Sequence, residues 1–118
     1  MVQTLPVRFE DQPLDLILTE EGRRALTAET VGLALEYEQP RRAVVNLFNR
    51  YRDEFEANID YAVINLMTAS SASDRRGGGE QDVTVFFQTG VNLLGFFSKQ
   101  PKAKLFRRWA KHVLAGVQ

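Results

Sequence analysis

The chain has no cysteine and a single histidine, His112. The first absence rules out a disulfide framework, a thiolate nucleophile and a thiolate metal site. A lone imidazole leaves too few donors for a histidine-built metal centre. Long hydrophobic runs are also missing: no stretch approaches the roughly 18 apolar residues of a membrane span. The start, MVQTLPVRFED, lacks the basic and then apolar pattern of a secretory leader. A cytoplasmic protein without membrane contact is expected. With 118 residues the chain fits one domain, 1–118, holding a modest core.

Charge of one sign is absent from the last third. Residues 83–118 carry six Lys or Arg and no acid, whereas residues 1–82 carry nine Lys or Arg against fifteen Asp or Glu. The total is neutral, which argues against strong nonspecific DNA affinity, because that affinity comes from clustered cations releasing counterions. A local basic patch is still compatible with it. The two segments are complements that can meet within one domain or between subunits, or the basic one can meet phosphates or an acidic protein.

The apolar pattern predicts an α+β fold: small antiparallel strands or hairpins packed with about four helices. Residues 2–9 and 14–19 read as strands joined by a turn at EDQP, and EEGRRA as a second turn pivoting on Gly22. Thr27 suits a helix N-cap, with a helix from about Ala28 to Tyr37. Pro40 cannot continue that helix but can open another, so QPRRAVVNLFNRYRDEF is a second helix with Val44, Leu47, Phe48 and Tyr51 inward. Residues 61–69 and 83–88 favour strands. GVNLLGFFSKQ is a short apolar helix, and Pro101 opens a last one. There Phe106, Trp109, Ala110, Val113, Leu114 and Val117 fall on a single stripe, with Lys104, Arg107, Arg108 and Lys111 beside it. Phe106 and Trp109 are expected in the core.

Between the later strands lies SSASDRRGGGEQD. Gly77, Gly78 and Gly79 have neither the following helix nor the Lys with Ser or Thr of a phosphate-binding loop, so they read as flexibility, and no cofactor is expected. Arg75 and Arg76 at this hairpin tip are candidates to reach a nucleic-acid groove. The acids Asp53, Glu54 and Glu56 have no nucleophile or general-base partner, so catalysis is not expected.

Two blocks carry a family resemblance. LTAETVGLALEYEQPRRAVVNLFNRYRDEF resembles the first block of the Bro-N type domain of phage antirepressors and large-DNA-virus regulators, through Val31, Ala34, Leu35, Pro40, Arg42 and Ala43. VTVFFQTGVNLLGFFSKQPKAKLFRRWAKHVL resembles the second, with Gly90, Leu94, Ser98, Pro101, Ala103, Phe106, Arg108 and Trp109 in order. The chain departs from the pattern in its acidic EYE before Gln39 and in Gly77–Gly79. The resemblance implies a regulatory module of a phage-type transcription regulator in a bacterial host cell, binding DNA or, alternatively, a repressor protein. Such modules are usually followed by a separate C-terminal domain.

Two helices joined by a short turn, the second bearing Arg41, Arg42, Asn49, Arg50 and Arg52, suit a helix-turn-helix reading, with Arg108 of the last helix in support. The same arginines suit a solvated face with Glu and Asp neighbours nearly as well. A homo-oligomer is expected too, because the complementary segments and Phe86, Phe87, Phe96 and Phe97 exceed what one thin core needs.

Overall fold

The computed structural model describes residues 2–67 and 80–115. Strand β1 (Gln3–Phe9) and strand β2 (Gln12–Leu18) form an antiparallel hairpin through a two-residue turn at Glu10 and Asp11, with Glu10 at φ +57°. Alternation places Leu5, Val7, Phe9, Leu14 and Leu16 on one face, against the core. Pro13 lies within β2, not in the turn where its residue type points. It stands opposite Arg8, at a position whose peptide nitrogen faces away from β1, so the missing N–H removes no bond between the two strands.

Strand β3 (Arg24–Thr27) has no counterpart in the sequence reading, which takes Arg24 into a turn. Four residues with two apolar side chains give too little pattern. The strand exists because β2 flanks it on one side and β5 (Glu80–Phe86) on the other. Strand β4 (Tyr61–Met67) pairs with β5 and closes the order β1-β2-β3-β5-β4, antiparallel throughout. The turn before β3 does pivot on Gly22, at φ +85°.

The helices follow from capping and from proline. The Thr27 side chain accepts from the Thr30 N–H at 3.2 Å and starts α1 (Ala28–Ala34). This helix ends short of the expected Tyr37, because Glu36 takes φ +67°. Helix α2 (Pro40–Arg50) opens on its proline but stops before the expected Phe55, and a single 3-10 turn, Arg52–Glu54, follows. Val44 and Phe48 are buried, while Leu47 and Tyr51 are half-buried. Helix α3 (Gln88–Phe97) begins one residue after Phe87, so the strand before it ends at Phe86 instead of 88. Helix α4 (Ala103–Ala115) starts after Pro101, which sits in the preceding turn and does not open the helix.

The main core lies between the helices and one face of the sheet. Phe86, Phe106, Leu16, Leu26, Leu35 and Leu94 are its largest fully buried side chains. Phe48 anchors one end, making edge-on contacts with Phe55, Tyr61 and Phe86 at 4.9–5.2 Å. Ile17, Ala25, Val85 and Phe87 form a smaller cluster on the opposite face, where the Arg23 guanidinium lies 3.4 Å from the Phe87 ring centre.

Along α4, Phe106, Ala110 and Leu114 are buried as the stripe requires, and Val117 falls outside the described residues. Trp109 is half-buried, not enclosed as expected. Its ring leans on Phe9 and Phe106 while Nε1 donates to the Arg8 carbonyl at 2.7 Å. A polar ring edge that needs a partner holds the residue at the core margin. Trp109→Phe keeps a stacked ring but loses that hydrogen bond, so urea unfolding should show a loss of about 1 kcal/mol.

Candidate nucleic-acid interface

On α2 the buried residues Val44 and Phe48 fix which side faces solvent. Arg42, Asn46, Asn49 and Arg50 are all exposed and follow one another at i, i+4, i+7 and i+8, a single stripe along the helix. No acid lies within α2. Among the described residues Arg42 makes one side-chain hydrogen bond, from Nη1 to Gln39 Oε1 at 3.3 Å in the turn before the helix, and none of the α2 arginines joins an ion pair. The sequence reading missed Asn46, although its four-residue spacing from Arg42 would have found it once the inward side was known.

The other candidates are placed differently. Arg41 sits off the stripe and lines a groove of about 540 Å³ together with Glu29 and Asp82, an acidic neighbourhood. Arg52 lies over the rings of Phe48 and Tyr61, at 4.6 and 5.5 Å, and serves packing. Arg108 is exposed on α4, which packs on α3, whereas α2 packs on α1, so Arg108 does not join the stripe. Arg75 and Arg76, like Gly77–Gly79, lie outside the described residues.

The helix pair is tightly built. A Cβ on Gly32 would stand 2.2 Å from the Pro40 carbonyl oxygen, so only glycine lets the start of α2 rest on α1. The turn between them is pinned from the α3–α4 connection. Gln100 Nε2 donates to the Leu35 and Glu36 carbonyls at 3.0 and 3.1 Å, satisfying groups that the end of α1 leaves open. The Tyr37 hydroxyl and Ser98 Oγ share a hydrogen bond at 2.7 Å. Lys102 pairs with Glu10 and lies 3.6 Å from Glu36, which ties the positive-φ turns at these two residues to the start of α4. The hydrogen bond accepted by Glu10, with smaller help from Glu36, raises the Lys102 pKa above the usual lysine value, so this tie persists through neutral pH.

A second concavity of about 510 Å³ opens between the start of α3 and the middle of α4. Arg107 and Lys111 line it together with Glu54 and Asp60, so its charges balance and it presents no net positive field. Asp60 is buried and engaged on both oxygens, accepting from the Glu56 N–H at 2.8 Å and from the Thr89 hydroxyl. Among the described residues no group of three or more His, Asp or Glu is placed to hold a metal ion. No helix among them is long and apolar enough to cross a membrane. No family model, no curated protein and no solved structure matches this chain.

Proposed function

We propose that this chain is a DNA-binding domain of a phage-type transcription regulator, of the antirepressor kind it resembles, acting in the bacterial cytoplasm, with α2 as the helix that enters the major groove. The observation that carries this reading is the stripe Arg42, Asn46, Asn49 and Arg50, exposed and acid-free on the second helix of a tightly packed pair. The chemistry suits base edges: arginine reads guanine O6 and N7, asparagine reads adenine N6 and N7, and either end of the stripe can also meet phosphate. At 1.5 Å per residue the stripe runs about 12 Å, comparable with the width of the major groove.

Fluorescence anisotropy with duplex DNA, titrated at several salt concentrations, tests the proposal. Arg42→Ala should weaken binding by about 1–3 kcal/mol at a preferred site, or lower the salt slope by about one unit if it meets a phosphate. An affinity indifferent to both salt and Arg42 would remove the groove-reading role.

A second reading, binding to a repressor protein instead of DNA, is favoured by Phe96 and Leu105. These are 67% and 48% exposed on α3 and α4, and large apolar side chains of this kind serve as anchors in protein interfaces. Phe96→Ala should leave DNA binding unchanged under the first reading and abolish repressor capture under the second.

A further inference from the structure

An open sheet with this strand order has two edges, β1 and β4. The register decides which peptide groups each edge turns outward. The Thr19 N–H donates to the Arg23 carbonyl at 2.8 Å, on the side away from β1. Odd-numbered residues of β2 therefore face β3, and even-numbered ones face β1. Opposite the odd-numbered residues, Thr4, Pro6 and Arg8 of β1 turn their peptide groups outward. Pro6 has no N–H to offer, and the Arg8 carbonyl is taken by Trp109. A proline and a covering side chain are among the ways proteins close an edge to further pairing.

Among the described residues the β4 edge carries neither device. The Phe87 N–H donates to the Asp60 carbonyl at 3.0 Å, so even-numbered residues of β4 face β5. Tyr61, Val63 and Asn65 then face outward. The Asn58 N–H takes the Tyr61 carbonyl at 2.6 Å, and beyond that point no described residue pairs with the edge. The strand, YAVINLM, contains no proline and no charge. Val63 is 60% exposed, and Asn65 Nδ2 leans inward to Asp82 at 3.3 Å instead of guarding the rim.

We propose that the β4 edge is the interface of a homodimer, in which a second copy adds its own β4 antiparallel and the two sheets become one. The free groups are peptide donors and acceptors at β spacing, and another strand is what matches them. A two-fold axis pairs the strand with its own copy, so a charge near the axis would meet a like charge; YAVINLM has none. A register with Asn65 opposite Asn65 leaves the Asn58 bond to Tyr61 intact. Association of this kind does not draw on Phe86 or Phe87, which are buried within one copy, contrary to what the sequence suggests. The Phe48 ring of α2 lies 4.9 Å from that of Tyr61, so the two copies of α2 flank the joined edge on the same side of the sheet. If α2 reads DNA, the dimer suits a palindromic site; that consequence alone rests on the proposed function.

Sedimentation velocity on the full chain, without DNA and over a wide concentration range, is the test. Wild type should pass from monomer to dimer, while Val63→Lys and Asn65→Pro stay monomeric with an unchanged circular dichroism spectrum. Phe96→Lys, which charges an exposed apolar site on α3, should dimerise like wild type. Amide hydrogen exchange at Val63 and Asn65 in wild type should slow as concentration rises, which decides the matter even if Asn65→Pro fails to fold. A wild type that remains monomeric, a dimer that survives Val63→Lys, or a dimer lost only in Phe96→Lys would overturn the proposal, as would exchange at Val63 and Asn65 that ignores concentration.

Discussion

Phe106→Ala should lower the unfolding free energy by about 3–5 kcal/mol, the range for truncating a fully buried aromatic ring. Phe106 has no exposed surface, meets Phe9 edge-on at 5.9 Å and stacks obliquely on Trp109 at 5.8 Å. The cavity would open where α4 meets the β1–β2 hairpin, two elements also joined by the Phe9–Trp109 ring contact at 5.2 Å, the Trp109 hydrogen bond and the Lys102 pair with Glu10. Exposed pairs of that kind contribute at most about 1 kcal/mol, so they cannot replace the lost packing. Chemical denaturation read by far-UV circular dichroism measures the effect. A loss below that of Trp109→Phe would show that the helix is held by something other than this stripe.

Gly32→Ala should be the second severe change, and two effects of opposite sign decide it. Inside a helix, alanine is favoured over glycine by about 1 kcal/mol. Against this, the new methyl would stand 2.2 Å from the Pro40 oxygen and 2.5 Å from its carbonyl carbon and Cα, all backbone atoms that no rotamer change can move. Overpacking costs typically about 1–3 kcal/mol, and here relief requires α2 to shift on α1. We expect a net loss of stability together with weaker DNA binding, because the stripe is carried on the helix that moves. Arg42→Ala, by contrast, should weaken binding at unchanged stability. A Gly32→Ala protein that is more stable than wild type would mean that the two helices do not meet at Pro40.

Elements with strong local signals were legible in the sequence. Thr27 caps α1 through its own hydroxyl, Pro40 sets the start of α2, and the three-and-four spacing from Phe106 to Leu114 gives the inward side of α4. Signals that depend on partners were not. β3 is a strand because two neighbours pair with it, and RALT alone says nothing of them. Trp109 could be placed on the stripe, but its half-burial follows from an indole N–H that finds the Arg8 carbonyl, a residue 101 positions away. For the candidate interface, residue type picked out Arg42, Asn49 and Arg50 but grouped them with Arg41, which the fold turns toward Glu29 and Asp82. Asn46 was overlooked because an uncharged residue between arginines attracts no notice until the helix has an outside.

Heteronuclear NMR with a short duplex DNA added to the full chain tests the central claim most directly, since backbone and side-chain amide signals report contact residue by residue. The account predicts shifts concentrated on α2, including the side-chain NH₂ groups of Asn46 and Asn49 and the Nε–H groups of Arg42 and Arg50, that fade as salt is raised. Shifts centred on Arg108 and Lys111 of α4, or on Phe96 and Leu105, with α2 unmoved, would contradict it.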